Sequence, residues 1–318
     1  MATKKRATKT AADTKLTRAA EAEAKEVLER RAKALRARTR ALKETPAVRS
    51  LAVAPEIAPP TTAHALLAVA AAASPSKGWL IAEGDSWFDY PGSDLLDWLE
   101  QAGYNVESVA RAGDRAEMMA FGRGQLEKFA AAVEKVIGRG QTPKAILLSA
   151  GGNDIAGNEF GFLINHAGSP KEGFNDSIVR GVIDERIADA YLHIIRKITA
   201  LCEMMLGRAV PIILHGYGEV VPDGDGVLGG FGPLPGPWLR PGFIEKGFGD
   251  LATNTKSMKV LMKRFNDMLV SVAAQFKHVK YVDLRKVLPA DKKLWANELH
   301  PKEAGFKLAA QELEKALR

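Results

Sequence analysis

From residue 78 onward the chain alternates two hydrophobic rhythms. Short continuous apolar runs, such as Leu80-Ile81-Ala82 and Ala145-Ile146-Leu147-Leu148, suit strands covered on both faces of a sheet. They predict strands over residues 78–86, 104–110, 143–149, 210–214 and 279–282. Between them apolar residues recur at helical spacing and predict helices over 93–102, 116–137, 178–206, 254–276 and 301–317. Ser93 is expected to cap the first helix and Gly103 to end it. The second is expected to break near Gly122 and Gly124 and to stop at Gly138. Pro301 is expected in the first turn of the last helix. Strands that alternate with helices imply a parallel sheet with right-handed crossovers. The expected fold class is therefore α/β, a three-layer α/β/α sandwich around a flavodoxin-like five-stranded parallel sheet, spanning residues 78–318.

Upstream this pattern is absent. Residues 1–45 are mainly Ala, Lys, Arg, Glu and Thr, with helix formers from Leu16 to Leu42. Leu28, Leu35 and Leu42 recur every seven residues, one seam of a short coiled coil. Three readings of this segment stand: a solvated, partly helical mobile arm, a homotypic coiled coil, or an attachment to nucleic acid, an anionic surface or a partner. No aromatic residue precedes Trp79, which counts against base stacking on the arm. Pro46, Pro55, Pro59, Pro60 and Pro75 make residues 46–77 a linker. Residues 1–50 hold fifteen Lys/Arg and six Asp/Glu, so +9 of a net charge of +7 lies there and the remainder carries 7 − 9 = −2. The basic character belongs to the arm and not to the domain. The single cysteine, Cys202, forbids an intrachain disulfide and a multi-cysteine metal site, and its apolar setting reads as helix core. No apolar run reaches the ~18 residues of a membrane span. The alanine-rich stretch Ala63 to Ala73 lies too far along the chain for a signal peptide. A soluble, cytoplasmic protein is expected.

The chemistry lies in the turns. Gly84-Asp85-Ser86 follows the first predicted strand, Arg111-Ala112-Gly113-Asp114 the second, and Ala150-Gly151-Gly152-Asn153-Asp154 the third. Asn297-Glu298-Leu299-His300-Pro301 precedes the last helix. Parallel strands bring their C-terminal ends to one edge, where open α/β sheets bind ligands. Gly-Asp-Ser alone is a common turn tripeptide. A serine hydroxyl, a glycine N–H, an amide side chain and an imidazole together supply a nucleophile, oxyanion donors and a general base.

On those four segments, in that order, the chain over residues 78–318 resembles the SGNH hydrolases, also called GDSL-type esterases and lipases. The resemblance implies a serine hydrolase that cleaves a carboxylic ester through an acyl-enzyme, with no cofactor and no metal. It implies Ser86 as nucleophile and His300 as base. It implies an oxyanion hole made of the Ser86 and Gly113 N–H groups and the Asn153 side-chain amide. One position departs from the family's pattern: the usual aspartate three residues before the histidine is Asn297 here. Three arrangements stay open: a Ser-His-Asn triad, a dyad oriented by a backbone carbonyl, or a carboxylate from elsewhere, for which Glu298 is nearest. Asn297 is preferred, because a neutral amide can accept the ring N–H and fix the tautomer. Asp85 and Asp154 read as organisers of their turns. An unperturbed His300 places the acid limb of the rate near about pH 6.5.

The long segment Gly216 to Gly249 also leaves a strand end and carries Tyr217 and Trp238. It reads either as a lid or specificity loop, or as a loop packed on its own domain. Asp223 and Asp225 lack the further ligands of a calcium loop. Trp87, Tyr90, His215, Tyr217 and Trp238 are candidates for a substrate pocket; Trp87, Phe88 and Tyr90 equally suit a cover for the sheet end. The expected partner is a small-molecule or carbohydrate ester. The lack of a long apolar cap favours polar substrates over lipids. Two other readings stand beside a general esterase: a carbohydrate O-deacetylase or acyltransferase, and a weakly active or inactive binding protein on the same fold.

Overall fold

The computed structural model describes residues 76–157, 159–227 and 235–318. By its contacts the chain divides between Ala68 and Val69, and every described residue lies in the second unit. The basic arm with Leu28, Leu35 and Leu42, and the linker as far as Pro75, lie outside the described residues.

Five strands form one parallel sheet: β1 (Trp79–Gly84), β2 (Asn105–Ser108), β3 (Pro143–Ser149), then two further strands at Ile212–His215 and Val279–Val282. Between β3 and those two lies a short antiparallel ribbon, β4 (Ile164–Asn165) with β5 (Gly173–Phe174), which the sequence pattern did not predict. Two residues per strand are too few to show an alternation. The remaining sheet strands are thus β6 (Ile212–His215) and β7 (Val279–Val282), and the sheet order is β2-β1-β3-β6-β7. Central strands β1, β3 and β6 are buried almost throughout, which explains their unbroken apolar runs. The edge strands β2 and β7 are half-exposed and more polar.

Helices cover both faces. α1 (Leu95–Gln101) packs against the C-terminal helix Glu303–Ala316 on one face. Following α1 come α2 (Ala116–Phe121), α3 (Gln125–Gly138) and the single turn α4 (Gly152–Ile155). α5 (Asp176–Arg180) runs through a π-helical stretch, Gly181–Ile187, into α6 (Ala188–Leu206). α7 (Arg240–Glu245), α8 (Leu251–Ala273) and α9 (Glu303–Ala316) complete the set. α3, α6 and α8 pack side by side on the face opposite α1 and α9. Among the described residues no helix is long and apolar enough to cross a membrane.

Two helix starts differ from the caps and first turns expected of them, and two more helices begin two or three residues early, at Asp176 and Leu251. Asp94, and not Ser93, caps α1: its carboxylate accepts the Leu96 and Asp97 N–H groups at 2.8 and 3.1 Å, and Asp97 reciprocates on the Asp94 N–H. A carboxylate with an acidic partner three residues on makes a closed capping box, which a lone serine hydroxyl does not. Pro301 pairs with Trp295 in an isolated bridge, and α9 begins two residues later at Glu303. The proline is spent on closing the turn that carries His300. The segment 216–249 also contains helix α7, while residues 228–234 within it lie outside the described residues.

The order matters for the site. The chain passes from β1 to β2 in one direction, then crosses to β3 on the other side of β1. The switch point therefore lies between the C-terminal ends of β1 and β3, where a crevice opens in folds of this kind.

Candidate active site

Ser86 follows β1 and the Gly151–Asp154 turn follows β3, so both flank the switch point. The turn after β1 is held from below by a buried network. Asp85, 1 % exposed, accepts the Trp87 N–H at 3.0 Å, the Ser149 hydroxyl at 3.1 Å and the Tyr217 hydroxyl. The Tyr217 oxygen in turn accepts the Gly152 N–H at 3.1 Å. One carboxylate thus couples the ends of β1, β3 and the segment after β6. Burial raises its pKa to about 6. Gly84 is required because a Cβ there would come within 2.7 Å of the Phe88 ring and 3.0 Å of Ser149. Gly151 has φ +101° and would drive a Cβ to 2.6 Å from the Phe265 ring.

His300 reaches Ser86 from the loop before α9. Its Nε2 lies 2.6 Å from the Ser86 Oγ. Its Nδ1 lies 2.9 Å from the Asn297 Oδ1. The same oxygen accepts the Leu299 N–H at 3.0 Å and the His300 N–H at 2.9 Å. Two backbone donors aimed at one atom identify that atom as the oxygen, so the amide cannot be turned around. The His300 tautomer follows: Nδ1 carries the hydrogen and Nε2 accepts from the serine. The Asn297 Nδ2 donates to the Tyr90 hydroxyl at 3.1 Å, and the Tyr90 ring stacks on the imidazole with centroids 4.4 Å apart. The loop is closed by Ala296 N–H to the His300 carbonyl at 2.9 Å and Lys302 N–H to Leu294 at 2.8 Å. Trp87 Nε1 donates to the Leu299 carbonyl at 3.2 Å and ties this loop to the serine turn.

His300 is 5 % exposed, and burial lowers its pKa to about 3, well under the ordinary value. The imidazole beside Ser86 is therefore neutral at ordinary pH, the form that accepts a proton. Glu298 is not the orienting carboxylate. It is fully buried and accepts four backbone N–H groups, from Gly224, Trp238, Leu239 and Arg240, at 3.0, 2.5, 2.7 and 2.9 Å. It clamps the long segment after β6 to the His300 loop.

The other predicted donors lie as follows. Gly113 has φ +87° and is exposed, and neither its N–H nor that of Ser86 has a hydrogen-bond partner among the described residues. The Asn153 Nδ2 donates one hydrogen to the Asp114 carbonyl at 3.0 Å, which fixes the amide while its second hydrogen remains. Asp154 accepts the Ala116 N–H at 2.8 Å and so caps α2, whose own N-cap residue Arg115 offers no side-chain bond.

A small cavity lined mainly by apolar side chains begins at Ser86 and Asn153. Trp87 and Tyr217 line it, as the sequence reading proposed for a pocket. The other three candidates do not line it. Tyr90 and Trp238 flank His300 instead, Trp238 edge-on with centroids 5.7 Å apart. His215 ends β6, 1 % exposed, and packs among Trp87, Phe88 and Tyr217 with its Nδ1 on the Gly216 carbonyl. Burial lowers its pKa to about 4, so it is a neutral packing element behind the serine turn. Asp223 and Asp225 both pair with Lys292 Nζ at 2.9 Å. The residues that sequence reasoning missed are Met258, Met262 and Phe265, which form one cavity wall. Their spacing on a helix is that of any core stripe, so no sequence signal separated them from ordinary packing.

The model of the GDSL-like Lipase/Acylhydrolase family matches residues 70–308. No curated protein matches the chain. Among solved structures the chain is similar to an acetylxylan esterase from Geobacillus stearothermophilus, with 15 % identity, a TM-score of 0.41, and 76 % of this chain and 94 % of that one covered. It is also similar to an alpha/beta hydrolase enzyme from the metagenome of Lake Arreo, Spain, with 15 % identity, a TM-score of 0.42, and 76 % and 95 % covered.

Proposed function

Because the chain belongs to the GDSL-like lipase/acylhydrolase family and is a carboxylic ester hydrolase, we propose that it works through an acyl-enzyme on Ser86, with His300 as base and Asn297 as its orienting partner. The observation that carries this is the continuous line Ser86 Oγ, His300 Nε2, His300 Nδ1, Asn297 Oδ1, at 2.6 and 2.9 Å across its two hydrogen bonds.

In the first half-reaction the Ser86 oxygen attacks the ester carbonyl carbon while its proton passes to His300 Nε2. The carbonyl oxygen becomes an oxyanion, held by the Ser86 and Gly113 N–H groups and the remaining Asn153 amide hydrogen. Removing one such donor typically costs about 3–4 kcal/mol of transition-state stabilisation. The carbon–oxygen bond to the alcohol then breaks, and the leaving oxygen takes the proton from Nε2. In the second half a water gives its proton to His300 and attacks the acyl carbon. The acid leaves and Ser86 recovers its hydrogen.

Asn297 and Tyr90 share the task that a carboxylate performs elsewhere. Asn297 fixes the ring and its tautomer but brings no charge to the imidazolium. The Tyr90 face, stacked on the ring, supplies part of that stabilisation through its quadrupole, on the order of 0.5–2 kcal/mol. The expected outcome is that a phosphonate ester labels Ser86 and that Ser86→Ala abolishes both labelling and hydrolysis of short p-nitrophenyl esters. Undiminished hydrolysis by Ser86→Ala would sink the assignment.

A further inference from the structure

The cavity at Ser86 divides the substrate. It is bounded by Ser86 and Asn153 but not by His300. The leaving oxygen has to sit beside His300 Nε2, because it takes its proton there. The alcohol therefore lies on the His300 side, flanked by Trp238 and Tyr90. The group that enters the cavity is the acyl group.

The walls define what that group is. Ile155, Val220, Leu239, Met258, Met262 and Phe265 present carbon and thioether surface. Ser86 and Asn153 stand at the end where the ester carbonyl reacts; the polar residues deeper in the wall, Asp85 and Tyr217, are already bonded to each other, and Tyr217 also to the Gly152 N–H. A hydroxylated or charged acyl group would leave water for a wall of mainly apolar side chains, whereas each methylene placed there gains by leaving water. Met258 and Met262 lie one turn apart on α8, with Phe265 in the next turn. Two unbranched, flexible thioethers make a wall that yields to chains of differing length.

We propose that this cavity is an acyl-chain subsite, and that the preferred substrates are esters of short aliphatic acids longer than acetate, with Met258, Met262 and Phe265 setting the depth. This rests on the reading of Ser86 as the nucleophile, and it departs from the sequence expectation of a polar substrate.

The test compares p-nitrophenyl acetate, butyrate, hexanoate and decanoate on the full chain. kcat/KM is expected to rise at least ~10-fold from acetate to the best of the longer esters. Met262→Trp is expected to lower the hexanoate-to-acetate ratio by at least ~10-fold, and Met262→Ala to move the optimum towards decanoate. A second measurement needs no variant: methylphosphonate and butylphosphonate p-nitrophenyl esters compete for Ser86, and the butyl reagent is expected to label faster. If Ser86 is labelled but acetate is the best ester and the methyl reagent the faster, the subsite is overturned and the nucleophile stands. If no ester is cleaved and neither reagent labels Ser86, both readings fall.

Discussion

At position 297 an amide stands where a carboxylate is usual, and the consequence is a matter of charge. The Asn297 oxygen holds the ring at 2.9 Å but leaves burial unopposed, so the His300 pKa falls to about 3. The rate is then expected to show no rise through the ordinary histidine range near about pH 6.5, contrary to what an unperturbed imidazole gives. Asn297→Asp places a negative charge against Nδ1, which favours the imidazolium and raises the His300 pKa. The acid limb of kcat/KM should move to higher pH in that variant. A pH–rate series on the two proteins checks it; a limb that stays in place means that residue 297 does not govern the imidazole. Tyr90→Phe keeps the stacked ring but removes the acceptor for Asn297 Nδ2. The buried amide donor left without a partner costs roughly 1–3 kcal/mol of folding stability, read as a lower urea midpoint.

At the scale of elements, one side chain gathers the segment after β6 at both of its ends. Glu298 gathers the N–H groups of Gly224, Trp238, Leu239 and Arg240, and the Glu298 N–H donates to the Asp225 carbonyl at 3.1 Å. The first turn of α7 is thus capped by a residue 58 positions away in sequence. Because Trp238 stands edge-on to His300, the clamp also holds the indole beside the imidazole. Glu298→Gln leaves one acceptor oxygen for four donors. The loss is expected to be about 2 kcal/mol or more, so amide exchange at Trp238, Leu239 and Arg240 should quicken by roughly 30-fold. Unchanged exchange at these amides would show that the segment is held by other contacts. The described part of the 216–249 segment is tied to the loop that carries His300 through Glu298, the residue next to Asn297.

Across the whole molecule, buried ionisable groups set how stability depends on pH. Glu83 ends β1 inside the sheet, where burial raises its pKa to about 8 while Gln125 and the Gly84 N–H hold it. The unfolded chain releases this proton near its ordinary value, and the folded chain keeps it to about 8. Stability from Glu83 is thus full below the unfolded pKa and is lost as pH rises through the folded one. Asp85 and Asp94 act in the same direction, each only to about 6. His215 and His300 act oppositely, with pKa values lowered to about 4 and 3, and their contribution is complete above the ordinary histidine value. Among these groups Glu83 is the one that titrates between about pH 6.5 and 8, a fall of up to about 1.4 kcal/mol per pH unit. Glu83→Gln should flatten that slope in urea titrations across this window. An unaltered slope would mean that Glu83 ionises normally in the folded protein.

The sequence determined the fold and the order of its turns. The unbroken runs of β1, β3 and β6 could be read because a strand covered on both faces has no polar side to show. The turns after β1, β2 and β3, which carry Ser86, Gly113 and Asn153, could be placed at one edge because parallel strands deliver their following turns there, whatever the packing beneath. The two-residue ribbon of β4 and β5, the cap at Asp94 and the start of α9 were not legible, since they depend on single contacts and not on a period. Only the tertiary structure decided between Asn297 and Glu298. Both are polar, adjacent and buried, and their roles differ by which backbone N–H groups surround each oxygen. The same holds for Met258, Met262 and Phe265. A helix stripe buries its side chains either in a core or around a cavity, and the pattern along the chain is identical; what distinguishes them is the space left across from them at Ser86.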